Sequence, residues 1–435
     1  MRVARVVVVG GGYAGLATAA RLAKTGHDVT LLERGDTLGG ALGSVEADGY
    51  RWDAGPTSTL LPAVLRDLFR KTGRPLEREL ELVPLETVRT HRFVDGSELA
   101  LPGGSRSAQL RAVEELSPGE GQRWLDHVAA YTEDWEVLRR GYLEEPWDRT
   151  ALPRDLRERL DSRESLQRRL RRTLKDDRLR DVAAHPFVAD GHAPRDVPAW
   201  MGLVAYLEQR FGSWTVPGGM AKVGEVLAGR MSTRGVDVRL GTSVHDVVVR
   251  GGRAVAVRTD AGEVDAEVVV CAIDPRRLPA LAELVKRTMP AIPPVVCHVG
   301  LVGDLPEVPH ELVLHGDPGL VVRTGGSAPD GGAAWTVQGR GRLAEDVLLA
   351  LARHRIDVRA QVVTRVDRSP RDLVEAWGGS PLGVLWQGRS TVRRRLGPDT
   401  PVPGVYAAGA HATPGSGLPF VGLSAALVAQ RVGPA

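Results

Sequence analysis

The chain opens on a run of β-branched residues, Val6-Val7-Val8-Val9, apolar at every position and too short for a helix. Such a run predicts a strand buried on both faces. It breaks into Gly10-Gly11-Gly12-Tyr13-Ala14-Gly15, after which Leu16, Ala19, Ala20 and Ala23 provide the buried side of a helix running from about 14 to 24. Gly26 stops that helix, residues 28–32 restart as an apolar strand, and Glu33 closes it. The far end repeats the grammar. Residues 404–410 read as a strand entering a glycine turn, Pro414-Gly415-Ser416-Gly417-Leu418-Pro419 as a second turn, and 422–427 as a helix of small residues. Further strands are predicted at 235–240, 243–247 and 268–274.

The middle is richer in charge and in helical periodicity. Ser117-Pro118-Gly119-Glu120 has the form of a capping box with Pro at the first helical position, opening a helix towards Arg140 with Trp124, Val128, Tyr131, Trp135 and Leu138 inward. Between 152 and 182, Leu156, Leu160, Leu166, Leu170 and Leu174 recur at helical spacing among many arginines. That pattern reads as a solvated helix pair, or as a basic amphipathic face for weak peripheral membrane contact.

Composition narrows the class. A length of 435 residues suits two lobes sharing one site, and 43% hydrophobic with 26% charged residues is ordinary for a folded globular chain. With 57 basic against 54 acidic residues the net charge is only +3, which gives no support to nucleic-acid binding. Two cysteines, Cys271 and Cys297, form neither a disulfide framework nor a CxxC pair and read as buried free thiols. The histidines show no HExxH spacing, so no metal is expected, and no Gly-x-Ser-x-Gly elbow marks a hydrolase. Residues 1–5 lead into the first strand without a signal-peptide core, so the expected location is cytoplasmic, peripheral at most to the inner membrane face.

The chemistry sits in the glycines. In a strand–turn–helix, Gly10 allows the tight turn, Gly12 lets backbone approach a pyrophosphate, and Gly15 lets the helix pack close. Glu33, at the end of the next strand, is placed to accept hydrogen bonds from a ribose diol. A second glycine pair, Gly39-Gly40, and then Gly49-Tyr50-Arg51-Trp52-Asp53-Ala54-Gly55-Pro56-Thr57 exceed what a nicotinamide domain needs. At the other end, a helix starting near Phe420 is placed to aim its N–H groups at an electron-rich part of a ligand.

These segments together resemble the bacterial carotenoid (phytoene) desaturases, within the amine-oxidase-like flavoproteins. The matching stretches include the glycine pair after the ribose Glu, GxxxDxGP, the Trp214-Thr215-Val216-Pro217-Gly218-Gly219-Met220 passage, and the C-terminal Gly-Ala with Pro-Gly-x-Gly. Two positions depart from the pattern: Ala41 stands where Arg commonly follows the glycine pair, and Thr413 precedes Pro414 where His is usual, with His411 two places earlier. The resemblance implies FAD as cofactor. It implies contacts from Gly10, Gly12, Tyr13, Ala14, Gly15, Glu33, Arg34, Gly39, Gly40, Ala41, Gly55, Pro56 and Thr57 at one end, Val244 on the adenine side, and Gly409, Ala410, Gly417, Phe420 and Val421 at the other.

The implied fold is α/β: a Rossmann-like FAD-binding domain from both chain ends (1–100, 211–280, 366–435) with an inserted α+β substrate domain (101–210, 281–365). The implied activity is dehydrogenation of a hydrophobic polyene or isoprenoid-like substrate, free or carrier-bound and including aromatisation, with hydride passing to flavin N5 and then to an electron acceptor that the sequence does not name. Trp214 is the one candidate substrate contact, and no catalytic acid–base pair stands out. The alternatives are a flavin amine or amino-acid oxidase, a redox-neutral polyene isomerase, and a noncatalytic FAD-stabilised binding protein.

Overall fold

Alternation within the first strand sets the layers of the cofactor-binding lobe. In Arg5–Val9, Val6 and Val8 join a core shared with helices, while Val7 and Val9 join a second core on the opposite face. That is the two-sided burial a continuous valine run requires. The computed structural model describes residues 3–148, 150–343 and 345–435. In it the first strand lies between Asp28–Leu32 and Val268–Cys271, with Asp237–Arg239 beyond the former and Val405–Ala407 beyond the latter. All four pairings are parallel, so segments more than 390 residues apart complete one sheet. Helices Tyr13–Lys24, Pro62–Thr72, Ala221–Thr233 and Leu418–Val432 cover one face, and an antiparallel three-stranded sheet, Val244–Arg250, Arg253–Thr259 and Gly262–Asp265, packs on the other.

The second sheet has seven strands, in the order Val362–Arg368, Val295–Val302, Gly332–Arg340, Gly319–Arg323, Glu311–Leu314, Thr87–Arg92 and Glu98–Pro102. Every neighbouring pair is antiparallel except Glu311–Leu314 with Thr87–Arg92. Residues 87–100 and 366–368, at the edges of segments expected in the FAD-binding domain, therefore pair within this sheet.

A helical block between 106 and 211 fills the space beside it, around Trp124, Tyr131, Trp135, Leu138 and Trp200. The capping box expected at 117–120 does not form. Ser117 ends the preceding helix, Arg106–Leu116, and the next, Gly121–Ala129, starts after Glu120 without a side-chain cap of its own. Glu114 supplies the anion instead, its carboxylate accepting the N–H of Gly119 (2.7 Å) and Gly121 (3.0 Å). The single helix expected towards Arg140 is divided by a break at Ala130 and Tyr131 into Gly121–Ala129 and Thr132–Leu138, with the π-turn Arg139–Leu143 after them.

The leucine stripe from 156 to 174 is entirely core, each side chain at most 3% exposed. It therefore presents no apolar face to a lipid surface. Among the described residues no helix is long and apolar enough to cross a membrane. Block and sheet are tied by a buried bidentate pair, Arg89 to Glu208, at 2.8 and 3.0 Å.

Candidate active site

The glycine turn after the first strand is built by exclusion of side chains. A Cβ on Gly15 would lie 1.8 Å from the carbonyl oxygen of Gly10, and Gly10 itself has φ of +102°. Only glycine at both places lets helix Tyr13–Lys24 begin this close to the strand. The second pair locks against the first: Gly39 N–H donates to Gly11 O (2.9 Å), and Gly40 lies so near Gly12 that a Cβ would come within 3.1 Å of its Cα. Glu33 is held between two backbone donors, Gly11 N–H at 2.6 Å and Gly35 N–H at 2.8 Å, one on each carboxylate oxygen.

At the other end Ala408 N–H bonds Cys271 O, and Gly409 N–H bonds Ser424 Oγ at 3.1 Å. Gly417, with φ of +99°, turns the chain into helix Leu418–Val432. Neither this helix nor Tyr13–Lys24 has a side-chain cap at its N-terminus. Two sets of first-turn N–H groups are thus left for an outside acceptor.

Both sets border one cavity of about 1170 Å³. It is lined by Gly10, Gly12, Tyr13, Ala14, Glu33, Arg34, Gly40, Ala41, Gly55, Pro56 and Val244, and by Gly409, Ala410, Gly417 and Val421. Two of the expected contacts lie just behind this wall: Gly15 beneath the turn, and Gly39 bridged to Gly12. Thr57 is buried, its carbonyl accepting from Thr215 Oγ1. Phe420 faces a second, smaller cavity of about 220 Å³, which meets the first at Pro56, Asp190, Gly417 and Leu418. That second space is largely apolar, walled by Leu143, Phe187, Trp200, Leu203, Trp386 and Phe420.

Trp214 lines neither cavity. Its indole N–H donates to Phe211 O (2.7 Å), its backbone pairs with Thr59, and Arg66 lies over its ring at 5.3 Å. The expected substrate contact thus lies under a guanidinium and outside both cavity linings. Asp53 likewise serves structure. Its buried carboxylate accepts the N–H of Met220 (3.0 Å) and Ala221 (2.8 Å), capping helix Ala221–Thr233, while burial pushes its pKa up against those two donors.

His411 does reach the cavity wall. Its Nε2 is 2.9 Å from Ser380 O and its Nδ1 is 3.7 Å from Asp274 Oδ1; burial holds the imidazole below its ordinary range, opposed by Asp274.

Two residues at the smaller cavity carry no local sequence signature. Asp190 occupies an Asp-Gly pair that reads as an ordinary turn, and Arg395 is one of many arginines. Only the tertiary fold turns them inward.

The sequence profile described as flavin containing amine oxidoreductase matches residues 13–300. The chain belongs to this family. It is a flavoprotein oxidoreductase, and the uncapped helix ends, the glycine cradle and the cavity that joins them fit a flavin nucleotide. The 4,4'-diapolycopene oxygenase of Methylomonas sp is 27% identical, with 98% of both chains covered. The zeta-carotene-forming phytoene desaturase of Myxococcus xanthus is 28% identical over 98% of this chain and 93% of its own. A variant of putrescine oxidase shares the fold, with a TM-score of 0.67 over 99% of this chain and 98% of that one at 17% identity.

Proposed function

We propose that this flavoprotein binds FAD along the larger cavity and dehydrogenates a polyene or other isoprenoid-like chain whose end enters the smaller one. The junction of the two cavities carries the reading. An apolar pocket opens beside Leu418 and beside Pro56 and Gly417, two of the residues expected to contact the flavin. Two separate uncapped helix ends support a ligand with two electron-rich regions, a diphosphate near Gly12 and the carbonyl edge of the ring near Gly417. Glu33, with one N–H on each oxygen, keeps lone pairs for a ribose diol. When bound, the flavin supplies a two-electron acceptor.

The protein contributes position and dryness. Aromatic and aliphatic walls hold a carbon chain against the cofactor end of the pocket and keep water from it. Relatives named as a diapolycopene oxygenase and a phytoene desaturase support a polyene as substrate.

Cofactor identity is tested by releasing the bound flavin and separating FAD from FMN by chromatography. Activity is tested anaerobically by adding phytoene in phosphatidylcholine vesicles, or putrescine, and following the visible band of the oxidised flavin. Bleaching by the polyene alone is the expected result; bleaching by the amine alone overturns the reading.

One observation favours a second reading. Arg395 is 5% exposed, lines the smaller cavity, and lies over Trp386 at 4.8 Å; its hydrogen bonds go to the carbonyls of Pro414 and Val384, with no carboxylate partner among the described residues. A buried guanidinium without a counter-ion suits a substrate carboxylate, as in an amino-acid oxidase. Bleaching by an amino acid and not by its decarboxylated amine would select this reading.

A further inference from the structure

We propose that the Asp190 carboxylate accepts the proton that the substrate loses during dehydrogenation, at the point where the cofactor cavity meets the apolar pocket. The inference rests on the functional reading above, because it needs a substrate C–H bond at that junction. Asp190 borders both cavities, and the other residues it shares that position with, Pro56, Gly417 and Leu418, bear no titratable side chain.

Its carboxylate is free for the task. Among the described residues it has no hydrogen-bond donor and no ion-pair partner within 4.0 Å, and only charges at longer range act on it. The placement also disfavours the charged form. Asp190 terminates helix Asp177–Ala189, so its side chain sits at the negative end of the helix dipole. The last carbonyl of that helix is taken by Arg340, whose Nε donates to Ala189 O at 2.7 Å and whose buried Nη2 has no partner.

The charges facing Asp190 are Arg340 from strand Gly332–Arg340, Arg323 from Gly319–Arg323 and Glu311 from Glu311–Leu314; Arg323 is itself engaged by Glu311 at 2.7 Å. On its own segment, His185 lies on the helix and His192 follows in the loop, both kept neutral by burial. Burial outweighs the two arginines and pushes the Asp190 carboxyl up to about 6. It is thus a base at neutral pH, yet basic enough to keep the proton it receives.

The step balances. One C–H bond loses its hydrogen with both electrons to the flavin, which is the oxidant. The neighbouring C–H bond gives its proton to an Oδ of Asp190, and the electron pair left behind becomes the second bond of the new C=C.

The test compares wild type with Asp190→Asn and Asp190→Glu, each loaded with flavin and matched for flavin content and melting temperature. Anaerobic flavin reduction is followed by stopped flow from pH 5 to 8, with phytoene in phosphatidylcholine vesicles and with putrescine as probes. Infrared spectra recorded over the same range give the wild-type minus Asn difference. The expected wild-type rate rises as pH passes about 6. Asp190→Asn lowers it roughly 100-fold or more and flattens the profile, as loss of a general base does, and Asp190→Glu restores part of it.

The difference spectrum should gain a protonated-carboxyl band as pH falls through about 6. An Asn variant that reduces its flavin at the wild-type rate overturns the proposal, as does a difference spectrum without that band. Reduction by putrescine and not by the polyene defeats the polyene reading alone, and the same comparison on the amine then decides the role of Asp190.

Discussion

Gly15 illustrates how little freedom the cofactor turn has at the scale of single residues. Its missing Cβ would stand 1.8 Å from a backbone oxygen, so Gly15→Ala must push helix from strand. The expected result is a loss of about 1–3 kcal/mol by denaturant titration, with flavin content falling in parallel. Asp53 gives a contrasting case. Asp53→Ala strands the buried N–H groups of Met220 and Ala221 and should cost about 2–4 kcal/mol, with the affinity for flavin changed less than the stability. Calorimetry with and without added flavin separates the two effects. Glycines of this kind are legible in the sequence because the constraint is local: a turn, a positive φ, a close approach. Asp190 and Trp214 show the opposite. Which way a turn aspartate or a strand tryptophan faces depends on contacts more than 100 residues distant, such as Arg340 on the carbonyl of Ala189 beside the one, and Arg66 and Thr59 on the other.

Between elements, the Arg89–Glu208 pair joins the edge region of the seven-stranded sheet to helix Leu203–Phe211. Both side chains are under 7% exposed, so the surviving partner of a single substitution would be a buried, unmatched charge. Arg89→Met should therefore cost about 3–5 kcal/mol, whereas Arg89→Met with Glu208→Leu should recover most of that loss. Unfolding in urea of these two variants and of Glu208→Leu alone checks the prediction through the coupling energy of the cycle. The elements near the start of the chain are the most legible: the strand at 28–32 and the helix to 24 fall where hydrophobic period and glycine punctuation put them. The helix start near 117 is not legible in the same way, because Ser-Pro-Gly-Glu has the spacing of a cap while the carboxylate that serves the turn comes from Glu114, upstream of the motif. Helical periodicity likewise marked the leucines of 156–174 as one face but left open what covers it; the answer, the rest of the helical block, is tertiary.

For the molecule as a whole, burial makes acid the weak point. His127, His192, His298 and His315 are each pushed down to about 4 and His185 to about 3, all by burial first. The unfolded chain takes up these protons near the ordinary value of 6.5, whereas the folded chain refuses them until about 4. Stability should accordingly fall as pH drops from 6.5 towards 4, each histidine contributing up to about 1.4 kcal/mol per pH unit. Urea midpoints across that range, at fixed flavin concentration, test the slope, and His127→Asn should reduce it by the share of one proton. The architecture has a different consequence in time. Five parallel strands drawn from residues 5 to 407 form one sheet, and the last helix that packs on it finishes at 432. At about 5–20 residues per second of synthesis, the opening valine strand waits tens of seconds for its last neighbours. The cores on the two faces of that strand therefore close late in synthesis, and until then its valines lack the segments that bury them.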